Sequence, residues 1–148
     1  MRIPTPQAPA ADGSTEILTA TYPADVMSVG GARVRVEDAL RDAGRERYCE
    51  RAVEVIDELV WNVVLHAGTD VEVHVSGGQG HVLLEVADGA PGGLVVLSGE
   101  ASDLAGHGLA VVDELADDWG WRSRDHGKVV WARLDGEVAG VAAGSGAG

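Results

Sequence analysis

Cysteine and lysine are almost missing from this 148-residue sequence, which has one residue of each type, Cys49 and Lys128. A lone cysteine excludes a disulfide framework and a thiolate metal site. Apolar runs of the roughly 20 residues that a membrane-spanning helix needs are also missing. The N-terminal residues contain no apolar signal-peptide core. These absences predict a cytoplasmic protein that has no membrane segment.

Positive charge is scarce as well, and the formal net charge is -13. This balance argues against nucleic acid or an anionic membrane as the main partner. Six of the arginines nevertheless fall within one short stretch: Arg33, Arg35, Arg41, Arg45, Arg47 and Arg51. We favour a solvated helix face for this cluster, and a docking surface for an acidic protein is the alternative.

The length of the chain fits one domain. Residues 1–14 are rich in proline, alanine and polar residues, and residues 137–148 are mostly small. Both segments are predicted to be disordered, because they offer little apolar surface to bury. The ordered domain is therefore predicted to span residues 15–136.

Hydrophobic periodicity predicts the elements within that domain. Residues 16–22, 71–75 and 81–88 read as strands, with GGQG as the turn between the last two, and residues 119–124 and 128–134 read as a hairpin. Helices are predicted from Ser28 to Ala43, over 46–66 and over 109–118, with Gly44 and Gly68 ending the first two and a loop at 89–107. Hairpins imply antiparallel pairing, so we expect an α+β two-layer fold. Its sheet would be mixed or mostly antiparallel, with helices packed on one face.

The most informative stretch is DELVWNVVLHA, residues 57–67. Glu58, Asn62 and His66 are four residues apart, so they are predicted to lie on one stripe of a single helix. A carboxylate or amide beside so apolar a surface costs a few kcal/mol if it has no polar partner. The stripe therefore belongs to a binding site, or its side chains bond neighbouring backbone and water. The helix alone leaves both readings open.

Two glycine-containing segments are further candidates for a binding site. Asp88 ends an apolar strand and is followed by Gly89, where freed backbone would let the carboxylate accept from a ligand amine. Taken alone, however, the pair is better explained as a plain Asp-Gly turn. The segment Gly106-His107-Gly108-Leu109 opens a helix. Glycines at that position expose backbone N–H groups to an anion, or simply give a flexible entry to the helix.

The ordered set of Glu-x-x-x-Asn on a helix, Asp-Gly after a strand and Gly-x-Gly-Leu into a helix resembles the GHKL ATPase family. Within it, the chain is most similar to bacterial anti-sigma-factor serine kinases and their actinobacterial relatives. The opening YPADVMSVGGARVRVEDAL and the closing GKVVWARL also resemble those relatives. The resemblance spans roughly residues 17–134.

The resemblance implies a Bergerat-type ATP-binding fold and a site for Mg-ATP. It assigns Glu58 as the general base, Asn62 as a magnesium ligand through its amide oxygen, and Asp88 with Gly89 as the adenine contact. Gly106 and Gly108 would donate backbone N–H groups to the phosphates. His66, His107 and Leu109 would belong to the nucleotide-binding residues, with the two histidines touching phosphate, although a role for His66 as a helix C-cap side chain is equally typical. Residues 90–105 would form the lid.

Departures from the family pattern concern four positions. Val63 stands where relatives usually have alanine, Ala90 where many have glycine, and His107 where arginine is common. Val129 replaces a threonine, which the resemblance places near the adenine.

The implied function is phosphorylation of a serine on a STAS-type anti-anti-sigma protein by a regulator that also binds a sigma factor and forms a homodimer. The alternative is a non-catalytic ATP-binding or docking module.

Overall fold

The computed structural model describes residues 7–9, 14–90 and 105–136, and for residues 105–108 it describes the backbone alone. The strands are β1 (Thr15–Tyr22), β2 (Val71–Gly78), β3 (His81–Asp88), β4 (Asp118–Arg124) and β5 (Gly127–Asp135), and the helices are α1 (Met27–Asp42), α2 (Cys49–Asn62) and α3 (Ala105–Leu115). A 3-10 turn, Glu46–Tyr48, precedes α2, and a π turn, Val63–Ala67, follows it. The predicted order of elements is therefore confirmed.

In the described part of the chain the strands form one sheet in the order β1-β2-β3-β5-β4. All four strand pairs are antiparallel. The two hairpins, β2–β3 and β4–β5, are joined by the pairing of β3 with β5. The sheet lies beneath helices on one face, which confirms the predicted α+β two-layer fold.

Alternation along the strands gives the sheet two different faces. The face that packs against the helices is apolar, and its central strands contribute buried residues that include Val73, Val75, Val82, Leu84, Val86, Val130, Ala132 and Leu134. Ile56 and Leu59 of α2 pack onto this face. The opposite face, called the open face below, carries charged pairs such as Arg122–Glu85 and Arg124–Glu72.

The start of α1 differs from the prediction that Ser28 caps it. Ser28 is the second residue of the helix, and its hydroxyl donates to the carbonyl of Pro23 over 2.8 Å. The carboxylate of Asp25 instead accepts from the N–H of Met27 over 2.8 Å. A carboxylate near a helix N-terminus also interacts favourably with the helix dipole. At the other end Gly44 has a φ of 75°, as the predicted stop requires.

The second helix is not a continuous α-helix to His66, so that part of the prediction is wrong. The π turn over Val63–Ala67 is closed by the N–H of Gly68, which donates to the carbonyl of Val63 over 3.0 Å. Gly68 has a φ of 66° and ends the helix as predicted. π turns insert wider hydrogen-bonded loops into helices, frequently at functional sites.

Several boundaries also moved. The GGQG turn is shorter than predicted, because Gly77 and Gly78 belong to β2. Helix α3 begins at Ala105 instead of 109, and the rest of the predicted loop, residues 91–104, lies outside the described residues. The predicted disordered segments lie largely outside them too, although the described Gln7 bonds the main chain of Trp121.

The arginine cluster is largely engaged within the chain. Arg33 pairs with Asp57, and Arg41 pairs with Glu37. Arg45 donates to the carbonyls of Gly78 and His81. Arg51 pairs with Asp117. Except for the Arg41–Glu37 pair, which lies within α1, these contacts connect helices to one another and to the sheet. Among the described helices, none has the length and apolar character needed to cross a membrane.

Candidate functional site

Asp88, predicted to contact a ligand amine, is one of the few charged side chains in the interior. Its side chain is 3% exposed at the carboxyl end of β3. One carboxylate oxygen, Oδ2, accepts from the ammonium of Lys128 over 2.8 Å. The other, Oδ1, accepts from the N–H of Ala90 over 3.0 Å. The carboxylate is therefore fixed from both of its oxygens.

The pairing with Lys128 follows from the register of the sheet. Asp88 lies directly opposite Lys128 where β3 pairs with β5. Both side chains leave the sheet on the face that the helices cover, and the side chain of Lys128 is 13% exposed. A buried charge is tolerated when it is paired and hydrogen-bonded. The sheet thus places a compensated carboxylate at the end of its central strand.

The backbone of Asp88 is held as closely as its side chain. The guanidinium of Arg124 donates from Nε to the Asp88 carbonyl over 3.2 Å. Gly127 has a φ of 116°, and a Cβ there would lie 1.9 Å from the same carbonyl oxygen. Only glycine allows the turn between β4 and β5 to approach so closely. The turn therefore helps to determine where Asp88 lies.

Gly89 connects this strand end to the chain that follows α2. Its N–H donates to the hydroxyl of Thr69 over 2.9 Å. Thr69 lies two residues after the end of the π turn and two residues before the start of β2. The hydrogen bond therefore ties the end of β3 to the segment that leaves α2.

Glu58 and Asn62 both lie in the regular part of α2 and are half-buried, so the predicted stripe is confirmed for these two. His66 lies in the π turn and is exposed. The turn changes the helical repeat after Asn62, so His66 does not continue the regular α-helix of the other two, and its place on their stripe stays a prediction. The polar pair at the end of α2 consists of Glu58 and Asn62.

Helices α2 and α3 pack against each other along a cleft of about 340 Å³. Glu54 of α2 and Val111 of α3 both line this cleft. Further along, Arg51 of α2 reaches Asp117, just beyond α3, over 3.3 Å. The first half of α2 thus lies beside the second half of α3, so the two helices run in opposite directions.

This antiparallel arrangement has a consequence for Glu58. Four residues forward from Glu54 along α2, and four residues back from Val111 along α3, each cover about 6 Å at the helical rise. Glu58 is therefore expected to lie level with the first turn of α3. That turn contains Gly106, His107 and Gly108, and its backbone N–H groups have no partner within the helix.

The remaining predicted residues of α3 divide into two groups. Leu109 is fully buried in the core, where it anchors the helix to the sheet. The side chain of His107 lies outside the described residues, and so does the predicted lid apart from Ala90 and the backbone of Ala105. The roles that the sequence assigned to these residues stay predictions.

Val129 is the departure whose interpretation changes most. It was expected to remove a hydroxyl near the adenine. Because strand residues alternate, Val129 instead lies on the open face, where it lines a small cleft with Ala87 and Arg122. The residue of β5 that lies directly opposite Asp88, on the same face, is Lys128. The substitution at 129 therefore faces away from the Asp88 carboxylate.

Sequence reasoning missed three residues that hold this strand end, because Lys128 and Arg124 bond Asp88 and Thr69 bonds Gly89. The chain has a single lysine among many arginines, and this could have indicated a specific ion pair for Lys128, because a buried lysine at a strand start needs a partner. No comparable signal marked Thr69 or Arg124, since both contacts depend on long-range pairing.

A family model described as histidine kinase-like ATPase domain matches residues 22–134. The match includes α2, β3, α3 and the β4–β5 hairpin. No curated protein matches the chain.

Proposed function

The chain belongs to the histidine kinase-like ATPase domain family, and on that premise we propose that it is an ATP-binding anti-sigma-type regulator. In this proposal it phosphorylates a serine hydroxyl on a STAS-type anti-anti-sigma protein. It also binds a sigma factor in alternation with that protein, as a cytoplasmic homodimer. The observation that carries the proposal is the buried, fixed carboxylate of Asp88 at the strand end that follows α2.

The adenine end of the site would be formed by Asp88. A carboxylate has about four lone-pair positions, and Lys128 and Ala90 occupy two of them. The remaining positions can accept from the amino group of adenine. Guanine carries a carbonyl at the same ring position, so an acceptor there favours ATP over GTP. This fit supports the proposal without any rearrangement of the carboxylate.

The phosphate end would be formed by the first turn of α3 and by Asn62. Backbone N–H groups at a helix N-terminus bind anions, and the helix dipole favours negative charge there. The amide oxygen of Asn62 is a hard donor of the kind that Mg²⁺ prefers. Magnesium, when bound, would neutralise phosphate charge. Asn62 would orient that ion from a half-buried position one helical turn after Glu58.

Glu58 would act as the general base. A carboxylate in this role takes the proton from the attacking hydroxyl as that oxygen bonds the γ-phosphorus and the bond to the ADP oxygen breaks. Glu58 is half-buried on α2, and the position level with the start of α3 that we expect for it suits that task. The proton goes to Glu58, and the leaving group is ADP.

A second candidate function is a non-catalytic module that regulates by docking alone. It is favoured by one observation: both oxygens of Asp88 are already bonded within the chain. Such a carboxylate stabilises the fold even when no nucleotide is bound. In this case Asp88 and Glu58 would contribute to structure, and phosphate transfer would not occur.

The two functions are separated by one experiment. The protein is incubated with ATP labelled at the γ-phosphate, magnesium and purified STAS proteins, and ATP affinity is measured by calorimetry. Glu58→Gln is expected to abolish transfer and to keep ATP binding. Glu54→Gln is the matched control, because Glu54 is exposed one turn earlier on the same helix, and it should transfer phosphate normally.

The results decide as follows. Tight ATP binding without transfer to any STAS protein would support the docking module. Transfer by Glu58→Gln at the parent rate would remove the assigned general base. Asn62→Ala should weaken ATP binding in the presence of magnesium and leave binding without magnesium unchanged. If the parent itself bound ATP equally well with and without magnesium, the role assigned to Asn62 would be removed.

A further inference from the structure

We propose that Lys128 is a positioning residue that sets the base specificity of the site through Asp88. The inference rests on the proposed function, in which Asp88 accepts from the adenine amino group. Lys128 would act by holding the Asp88 carboxylate in one orientation. It is the only lysine of the chain.

The geometry supports this role. The ammonium of Lys128 contacts one oxygen of Asp88 over 2.8 Å, and the N–H of Ala90 contacts the other over 3.0 Å. Donors on both oxygens fix the plane of the carboxylate, which otherwise rotates about its terminal bond. The direction of the free lone pairs is thereby fixed before a ligand arrives. A preformed acceptor loses less free energy on binding than one that must be ordered.

Burial makes the cation necessary. The Asp88 side chain is 3% exposed, and an ionised carboxylate in such a place is costly without a partner. Without Lys128, Oδ2 of Asp88 would lose this partner, and the carboxylate would be free to rotate. It would then present a different hydrogen-bonding edge to the base. The β3–β5 pairing, which places Lys128 opposite Asp88, would therefore influence which base the site prefers.

The type of cation also matters. An ammonium is a compact point charge, whereas a guanidinium presents a planar fork that engages both oxygens of a carboxylate. Lys128 binds one oxygen of Asp88 and leaves acceptor positions open. Arg122 and Arg124, by contrast, pair with glutamates on the open face. The lysine thus satisfies the buried charge without covering the carboxylate.

A purely structural ion pair makes a different prediction. Its loss would weaken the binding of every nucleotide by the same factor, because the whole site would be disturbed. A positioning role predicts that the loss depends on the 6-amino group of the base. The two roles are therefore distinguished by a ratio of affinities rather than by affinity alone.

The test compares ATP with purine riboside triphosphate, which lacks the 6-amino group. The parent is expected to prefer ATP by about tenfold to a hundredfold, the range for a hydrogen bond to a charged group. Lys128→Met is expected to bring that preference close to one, with a smaller change in binding of the analogue. Arg122→Met breaks another ion pair of the same sheet and should keep the parent preference.

Asp88→Asn and the double variant Lys128→Met/Asp88→Asn complete the cycle. If Lys128 acts through Asp88, both variants should show the same lost preference. The double variant contains no unpaired buried charge, so this comparison holds even if Lys128→Met does not fold. A different preference in the double variant would mean that Lys128 contacts the base itself, and would overturn the inference.

The outcomes separate the inference from the proposed function. A parent that binds neither nucleotide overturns both. A parent that binds both nucleotides equally removes the adenine contact of Asp88, and with it the role of Lys128. A parent that prefers ATP, together with a Lys128→Met variant that keeps the preference, overturns only the inference.

Discussion

The indole N–H of Trp131 donates to the main-chain carbonyl of Gln7 over 2.8 Å. The N–H of Gln7 in turn donates to the carbonyl of Trp121 over 2.7 Å. Trp131 lies on the open face of the sheet, over Gly120, and is 1% exposed. Gln7 thus bonds both strands of the β4–β5 hairpin and helps to cover Trp131.

Deletion of residues 1–9 is therefore expected to expose Trp131. Loss of the two hydrogen bonds and of apolar contact should lower the free energy of unfolding by about 1–3 kcal/mol. Tryptophan fluorescence should shift to longer wavelength. The control is Trp131→Phe, made in the full-length and the shortened chain, where the deletion should leave the emission maximum unchanged. Identical emission of the shortened and full-length parents would contradict the covering role.

The sequence predicted the elements well and their ends less well, for a physical reason. Periodicity marks which residues face the core, and this was sufficient to predict β3 and the hairpins. Helix termini depend on local hydrogen bonds: the carboxylate of Asp25 accepts from the N–H of Met27, and Ser28, expected as the cap, lies inside the helix. The π turn after Asn62 gave no signal, because an apolar run such as VVL fits either helical repeat.

The parts of the candidate site that lie within a single helix could be predicted from the sequence. Glu58 and Asn62 are neighbours through helical spacing, and the glycines before Leu109 indicated a helix start. The partner of Asp88 was not predictable, because Lys128 is 40 residues away and meets it only through the β3–β5 register. The same register explains why Val129 faces away from the Asp88 carboxylate.

Asp57 is expected to make the stability of the fold depend on pH. Burial raises the pKa of Asp57, and nearby Arg33 only partly opposes this effect. The folded state therefore holds the proton more tightly than the unfolded chain, in which the pKa of aspartate is about 3.9. The resulting stabilisation is present at low pH and is lost as the pH rises through the raised pKa.

Urea unfolding of the parent and of Asp57→Asn over the acidic range checks this prediction. The free energy of unfolding of the parent, relative to the variant, should fall as the pH increases through the raised pKa. Asparagine does not titrate, so the variant lacks this contribution. A relative stability that rises with pH would show that the ion pair with Arg33 outweighs burial.

Glu72 on the open face is expected to have the opposite pH dependence. The hydrogen bond from Arg124 lowers the pKa of Glu72, against a smaller effect of burial. The contribution to stability is therefore present above the unfolded value of about 4.3 and is lost as the pH falls through the lowered pKa. Glu72→Gln should be most destabilising near neutral pH and least destabilising in acid. A difference that stays constant with pH would contradict this assignment.

Gly127 and Gly80 offer a matched comparison of two turn glycines. Both have positive φ values, 116° and 76°, so alanine at either position is strained by about 1–2 kcal/mol. At Gly80 a Cβ would meet nothing within 4 Å, whereas at Gly127 it would lie 1.9 Å from the Asp88 carbonyl oxygen. Gly127→Ala should therefore cost at least about 1 kcal/mol more than Gly80→Ala in urea unfolding.

The same pair of variants tests whether the turn positions Asp88 for a ligand. To accommodate a Cβ at Gly127, either the turn or the end of β3 must move, and both carry the Asp88–Lys128 contact. Under the proposed function, ATP binding should weaken in Gly127→Ala and stay at the parent value in Gly80→Ala. If both variants bound ATP with the parent affinity while Gly127→Ala was the less stable, the turn would matter for folding alone, and the close approach of Gly127 to Asp88 would have no part in recognition of the base.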